Sequence, residues 1–244
     1  MALSHDDLWP RAGSWAAFAA GADADAVLLG VPTWRTSLSP TGAHATPAAI
    51  REALTRYSAT LMGPPVVDLA RALRVLDAGD VDEPDGEPGI AATVARVREL
   101  ADVTRLVIAL GGDNALTYPV ARGAGATGLI TIDAHFDLRD GVSNGSPVRR
   151  LVEDAPDGER IDPTRIVQIG IADFANSAAY AARAADWGIR VITLDEVRRR
   201  GVADVVAEAT RIAGAGPGAR IHLDVAVAAV DRAAAPGCPA SVPG

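Results

Sequence analysis

Asp133, His135 and Asp137 occupy every second position at the end of the apolar run 129–132, within Thr131-Ile132-Asp133-Ala134-His135-Phe136-Asp137. Two carboxylates flanking an imidazole provide hard oxygen donors and one nitrogen, a set that suits a divalent cation such as Mn²⁺. On a continuing strand, period-two alternation points all three side chains the same way. The carboxyl end of a parallel strand is also where α/β proteins place their ligand crevices. A plainer reading stands beside this one: an Asp caps the turn that follows, and the His is a satisfied interior residue.

A second polar group follows the preceding strand-like run. Residues 106–110 lead into Gly111-Gly112-Asp113-Asn114, where two glycines let the backbone turn tightly before a polar pair. Alone, this is an ordinary strand-to-helix turn; beside Asp133 it becomes a candidate partner. After Asp137 comes a polar loop containing Arg139, Ser143, Asn144 and Gly145. It can overhang the cluster and meet a substrate. It reads equally well as a solvated loop, with Ser146 capping a helix and Pro147 in its first turn.

The elements that must position these residues follow from patterning. Short runs rich in β-branched residues recur at 27–31, 75–78, 106–110, 129–132, 166–171, 191–194 and 221–225. Between them lie Ala- and Arg-rich segments of helical spacing, such as 90–100 and 202–212. That alternation predicts about seven strands in an α/β fold with a mainly parallel sheet. One helix start is marked by Thr46 as cap and Pro47 in the first turn, with Ile50, Leu54 and Tyr57 on one face. Segments 82–89 and 213–218 read as surface loops, and residues 1–244 as one domain.

Composition narrows the function classes. A formal net charge of -8 excludes a nucleic-acid partner as the default, because binders of phosphate backbones concentrate basic surface. No apolar run reaches the roughly 20 residues of a membrane helix. Met1-Ala2-Leu3-Ser4 does not begin a basic-then-apolar leader, so the expected location is the cytoplasm. A single cysteine, Cys238, has no internal disulfide partner, and nothing around it points to a reactive thiol.

Taken in order, these motifs resemble the ureohydrolase family of arginases, agmatinases and formimidoylglutamases. The resemblance spans nearly the whole chain: Gly30-Val31-Pro32, Gly42-Ala43, Thr46 to Arg51, Gly111 to Asn114, Asp133 to Asp137, and His222 to Asp231 followed by Ala235-Pro236-Gly237. The family implies a three-layer α/β/α fold, a small amidine or guanidine substrate, and assembly as a homo-oligomer. It also implies a binuclear Mn²⁺ site whose bridging hydroxide attacks the substrate carbon. By carry-over Asp133 bridges both metals, His135 ligates one and Asp137 the other; these residues are also the catalytic set.

The departures from the family pattern are specific. Asn114 stands where the family has a His ligand, and its neutral amide oxygen is a weaker donor. Counting back from Asp231 and Pro236-Gly237 places the two late metal-binding Asp positions on Ala226 and Ala228, which cannot ligate. A second register, anchored on Asp224 with extra residues before Asp231, restores one carboxylate and leaves Ala226 at the other. The first register is preferred because it leaves the spacing from Asp231 to Gly237 undisturbed. The resemblance further implies a strand and helices beyond residue 244, making the chain short at its C-terminus. The expected outcome is an incomplete site and impaired activity.

Among family members, the loop Ser143-Asn144-Gly145-Ser146-Pro147 looks like the formimidoylglutamase type. That favours hydrolysis of N-formimidoyl-L-glutamate to L-glutamate and formamide. Agmatinase-, arginase- or guanidinobutyrase-type release of urea is one alternative, and a catalytically dead binding or structural member is another. Arg139 or Arg149 can meet a substrate carboxylate as a bidentate fork. Substrate-binding candidates are therefore Arg139, Ser143, Asn144 and Gly145.

Overall fold

A computed structural model describes residues 6–242 of the chain. The sequence readings at Met1 to Ser4 and at Pro243-Gly244 lie outside the described residues. Two compact units are formed, one from the segment ending at Thr33 together with Gly42–Gly112, the other from Trp34–Thr41 and the segment from Asp113 onward.

In the first unit the long strands are β1 (Ala24–Val31), β2 (Val75–Asp80) and β3 (Thr104–Gly111). With the short strand Ala16–Ala17 they form a four-stranded parallel sheet, ordered Ala16–Ala17, β2, β1, β3. Flanked on both edges, β1 is almost wholly buried, and it is the most continuously apolar of the three. The longer helices here are α1 (Thr46–Leu54) and α2 (Gly86–Ala101). On α2, Ile90, Val94, Val97 and Leu100 are buried at helical spacing. Its start at Gly86 also shortens the loop expected at 82–89.

The start of α1 differs from expectation. A 3₁₀ turn, Ala43–Ala45, runs directly into the helix, so Ala45 holds the cap position and Thr46 is already helical. The preceding turn removes the need for a side-chain cap, and none forms. Tyr57 lies beyond the helix end and is exposed rather than on its inner face.

The second unit holds β4 (Gly128–Ile132), β5 (Ile166–Ile171), β6 (Arg190–Thr193) and β7 (Ile221–Val225). These form a parallel sheet ordered β7, β4, β5, β6. Its helices are α3 (Thr117–Gly123), α4 (Pro147–Glu153), α5 (Ala178–Asp186), α6 (Leu194–Arg200) and α7 (Val202–Ala213). Val205, Ala209 and Ala213 recur every four residues on α7 and pack on Ile130, Val167, Ile169 and Ile192 of the sheet. That stripe explains why α7 forms where helical spacing places it. Parallel sheets with flanking helices are thus present, as the alternating pattern predicts. Among the described residues no helix is long and apolar enough to cross a membrane.

Candidate functional site

Strand β4 lies between β7 and β5, and the pairing sets the site. Asp224 of β7 pairs with Thr131 of β4, and Gln168 of β5 pairs with Thr131 from the other side. Asp224 therefore reaches the carboxyl end of the sheet next to the residues that follow β4.

Those residues are not a continued strand. The ladder of β4 stops at Ile132, and Asp137 has φ 52°, in the left-handed region that Asp tolerates better than most residues. Period-two alternation thus does not place Asp133, His135 and Asp137; a turn does. Asp133 is buried, and its Oδ1 accepts from the backbone N–H of His135 at 2.9 Å. The same oxygen lies 3.1 Å from Nδ1 of the His135 ring. The capping role of the Asp and its place in a polar cluster therefore hold together.

The turn after β3 delivers the next groups. Asp113 caps a 3₁₀ turn by accepting from the Ala115 N–H at 3.1 Å, and the Ser37 hydroxyl donates to its other oxygen. Asn114 donates its side-chain amide to Oδ2 of Asp137, while its own oxygen accepts from Oγ1 of Thr117 at 2.9 Å. The amide oxygen expected to serve as a weak ligand is thus already engaged.

Electrostatics tie three carboxyl groups together. Burial, with Asp133 and Asp224 nearby, holds the Asp137 carboxyl well above the usual range, against the opposing hydrogen bond from Asn114 and the charge of Arg139. Burial and then Asp133 push Asp224 up to about 7, with Thr117 and Asn114 acting the other way. Oδ2 of Asp224 is buried without a hydrogen-bond partner among the described residues. His222, two residues earlier on β7, is lowered to about 4 by burial and is therefore neutral near pH 7.

Positions 226 and 228 part ways. Ala226 extends the ladder by one hydrogen bond, its N–H donating to the Ile132 carbonyl at 3.0 Å, so it follows Asp224 in the alternation of β7. A 3₁₀ turn, Val227–Ala229, then breaks the strand. Ala228 is buried and lines a mainly apolar cavity of about 120 Å³ with Ile132, Ala134, Ile169, Leu194 and Val197. The expectation that 226 and 228 form one ligand pair does not agree with this break in the strand.

The loop after Asp137 divides its candidates. Arg139 is exposed, whereas Gly145 is buried against it: a Cβ on Gly145 would lie 2.8 Å from Cδ of Arg139. Ser143 Oγ accepts from the Gly145 N–H at 3.2 Å, and Asn144 Oδ1 accepts from the Leu38 N–H at 3.1 Å. Arg149 is buried and cannot serve as a substrate fork. Its guanidinium donates to the carbonyls of Arg139 and Gly141, each at 2.8 Å, and pairs with both oxygens of Asp154. Ser146 does not cap α4; its hydroxyl donates to the Ser143 carbonyl at 2.8 Å instead.

Sequence reasoning missed Ser37, Thr117, Gln168 and Asn176, all of which bond to this region. Only Gln168 left a signal, as a polar residue inside an otherwise apolar strand.

As a metal site the arrangement is a partial fit. Among the described residues, no three His, Cys, Asp or Glu side chains are already gathered at coordinating spacing. The unpartnered oxygen of Asp224 and the mutual repulsion of three carboxylates nevertheless match what one divalent cation would satisfy. A second cation finds no carboxylate at 226 or 228.

The arginase family model matches residues 24–244. The formimidoylglutamase of Bacillus subtilis (strain 168) is 34% identical over 229 residues, covering 89% of this chain and 70% of that protein. The crystal structure of formimidoylglutamase from Bacillus subtilis superposes with a TM-score of 0.85 at 27% identity, covering 99% of this chain and 77% of the other. Trypanosoma cruzi formiminoglutamase with Mn²⁺ superposes with a TM-score of 0.81 at 27% identity, covering 96% and 81%.

Proposed function

Because the chain belongs to the arginase family, we propose that it is a formimidoylglutamase-like hydrolase cleaving N-formimidoyl-L-glutamate. Water adds to the amidine carbon, the bond from that carbon to the glutamate nitrogen breaks, and the nitrogen leaves with a proton. The products are L-glutamate and formamide.

The observation that carries this reading is the electrostatic coupling of Asp133 and Asp137, which follow β4, with Asp224 near the end of β7, whose Oδ2 is unpartnered among the described residues. Manganese, present in the trypanosomal relative, would be held here by Asp133, Asp137 and Asp224, with His135 as the nitrogen donor. When bound, it supplies the Lewis acidity that activates water against an amidine carbon. Burial of Asp224 beside Asp133 supports the register anchored on Asp224, with Ala226 as the lost carboxylate position.

The chain's own residues then set orientation. Arg139, exposed on a loop held from beneath by Arg149, would pair with a substrate carboxylate. Ser143, Asn144 and Gly145 would shape that loop around the substrate, Asn144 by tying it to Leu38 and Gly145 by leaving room for the Arg139 stem. Turnover is weak in this reading, since Ala226 offers no carboxylate and the oxygen of Asn114 is engaged by Thr117. A cytoplasmic homo-oligomer acting on a small amidine completes the proposal.

The test is metal content per chain after loading with Mn²⁺, with formamide and urea release measured from N-formimidoyl-L-glutamate, agmatine, L-arginine and 4-guanidinobutyrate. Bound manganese with formamide from the first substrate alone supports the reading. Urea from a guanidine without formamide would replace the substrate, and no product from any of them, in this chain or in its Ala226→Asp variant, would overturn it.

A further inference from the structure

Phe136 lies between His135 and Asp137, so its backbone sets how those two side chains diverge. The chain has left the β4 ladder there, and both polar groups of Phe136 are held by side-chain amides reaching from β5 and the loop after it. Its N–H donates to Oδ1 of Asn176 at 3.0 Å, and its carbonyl accepts from Nε2 of Gln168 at 2.8 Å. Asn176 also donates to the Ala134 carbonyl at 2.8 Å and the Ala172 carbonyl at 3.4 Å, tying the turn after β4 to the loop after β5.

Gln168 carries a cost that this grip explains. It is wholly buried in β5 between Val167 and Ile169, and its Oε1 has no partner among the described residues. A buried unsatisfied oxygen destabilises a fold, and an apolar residue of similar volume would remove that penalty. What an apolar residue could not do is donate to the Phe136 carbonyl, which no strand neighbour serves among the described residues.

We infer that Gln168 and Asn176 are positioning residues, a two-amide clamp that fixes the Phe136 backbone and thereby the relative placement of His135 and Asp137. This rests on the reading of those two residues as metal ligands. Outer partners of this kind govern metal affinity by holding the ligands in orientation, and losing one typically weakens binding about ten- to a hundredfold.

The test uses Gln168→Met, which keeps the volume and removes the donor, and Asn176→Ala, which lies in a loop and keeps the strand intact. Amide hydrogen exchange of the metal-free proteins is compared with Mn²⁺ binding followed by electron paramagnetic resonance of the free ion. In Gln168→Met the His135 and Phe136 N–H groups, neither of which Gln168 touches, exchange about tenfold faster, while exchange across α7 is unchanged. Manganese dissociation constants rise by about tenfold or more in both variants. Unchanged exchange at His135, or faster exchange with unaltered Mn²⁺ affinity, overturns the clamp. If the unmodified chain takes up no Mn²⁺, the ligand reading fails by itself, and the clamp stands or falls on the exchange rates alone. If Gln168→Met does not fold, Asn176→Ala decides by the same two readouts, with His135 exchange as its local probe.

Discussion

Asn114 donates its side-chain amide to the carboxylate of Asp137, and Thr117 donates to the oxygen of the same amide. A residue that stands at a ligand position in the family resemblance is therefore built into the carboxyl cluster as a donor. It offsets part of the charge repulsion felt by Asp137. Replacing Asn114 by His exchanges that donor for a nitrogen ligand. Asn114→His is expected to tighten Mn²⁺ binding by about tenfold, near 1.4 kcal/mol, and an isothermal titration with Mn²⁺ reads it directly. Weaker binding would show that the amide matters more to the cluster than a ligand does.

Positions 226 and 228 should respond in opposite ways. Ala226→Asp adds a carboxylate in line with Asp224 and is expected to increase the manganese bound per chain. Ala228→Asp places a charge in the cavity lined by Ile132, Ile169 and Val197, and should destabilise the fold by about 2–3 kcal/mol through uncompensated desolvation. Thermal melts and metal analysis of the two variants separate the registers; tighter manganese binding in Ala228→Asp would restore the one counted from Asp231.

Asp224 should govern metal-linked stability. A ligand present at about a hundred times its dissociation constant adds about 2.7 kcal/mol to the native state. For a chain of this size that raises the melting midpoint by roughly 5–10 °C. The Mn²⁺-induced shift is expected in the unmodified chain and absent in Asp224→Asn. Equal shifts in both proteins would remove Asp224 from the site.

Acid stability is expected to depend on Glu208, away from the site. Arg190 and then Arg200 hold the Glu208 carboxyl down to about 2, below the ordinary carboxylate range expected when the chain is unfolded. The sign follows by linkage: the folded pKa is depressed, so this contribution is fully present above about pH 4.5 and is lost as pH falls toward 2. The pairs are near the surface, so the effect is modest and salt-sensitive. Glu208→Gln should melt about 2 °C lower at pH 7, and the difference should vanish near pH 2. A constant gap across that range would assign the loss to packing instead.

Arg149 should be intolerant even of Lys. Its guanidinium serves two loop carbonyls and both oxygens of Asp154 at once, a fork that a point charge cannot reproduce. Arg149→Lys is expected to cost about 3 kcal/mol and to expose the loop around Arg139 to proteolysis. A melt within a degree of the parent, with unchanged proteolysis, would contradict that role.

Much of the fold was legible because strand and helix carry different periods. The runs at 166–171 and 221–225 coincide with β5 and β7, and the helical stripe of 202–212 is the face that α7 buries. Less was legible where one local structure makes another unnecessary. The 3₁₀ turn at Ala43–Ala45 removes the need for Thr46 as a cap, and the hydroxyl of Ser146 turns back to Ser143 instead of capping α4.

By itself the sequence determined the donor types, their order along the chain and the strands that end beside them, since these depend on neighbouring residues and on patterning. Tertiary structure decided which of those residues meet. Pairing of β7 with β4 brings Asp224 to the carboxylates, and the break after Ala226 carries Ala228 into apolar surroundings, because register between distant strands is set by packing rather than by spacing in the chain. Asp137 joins them through a left-handed backbone turn, and Arg149 is lost to substrate because it is buried under its own loop. Neither outcome is written in the residues alone, since each depends on what the rest of the chain packs against them.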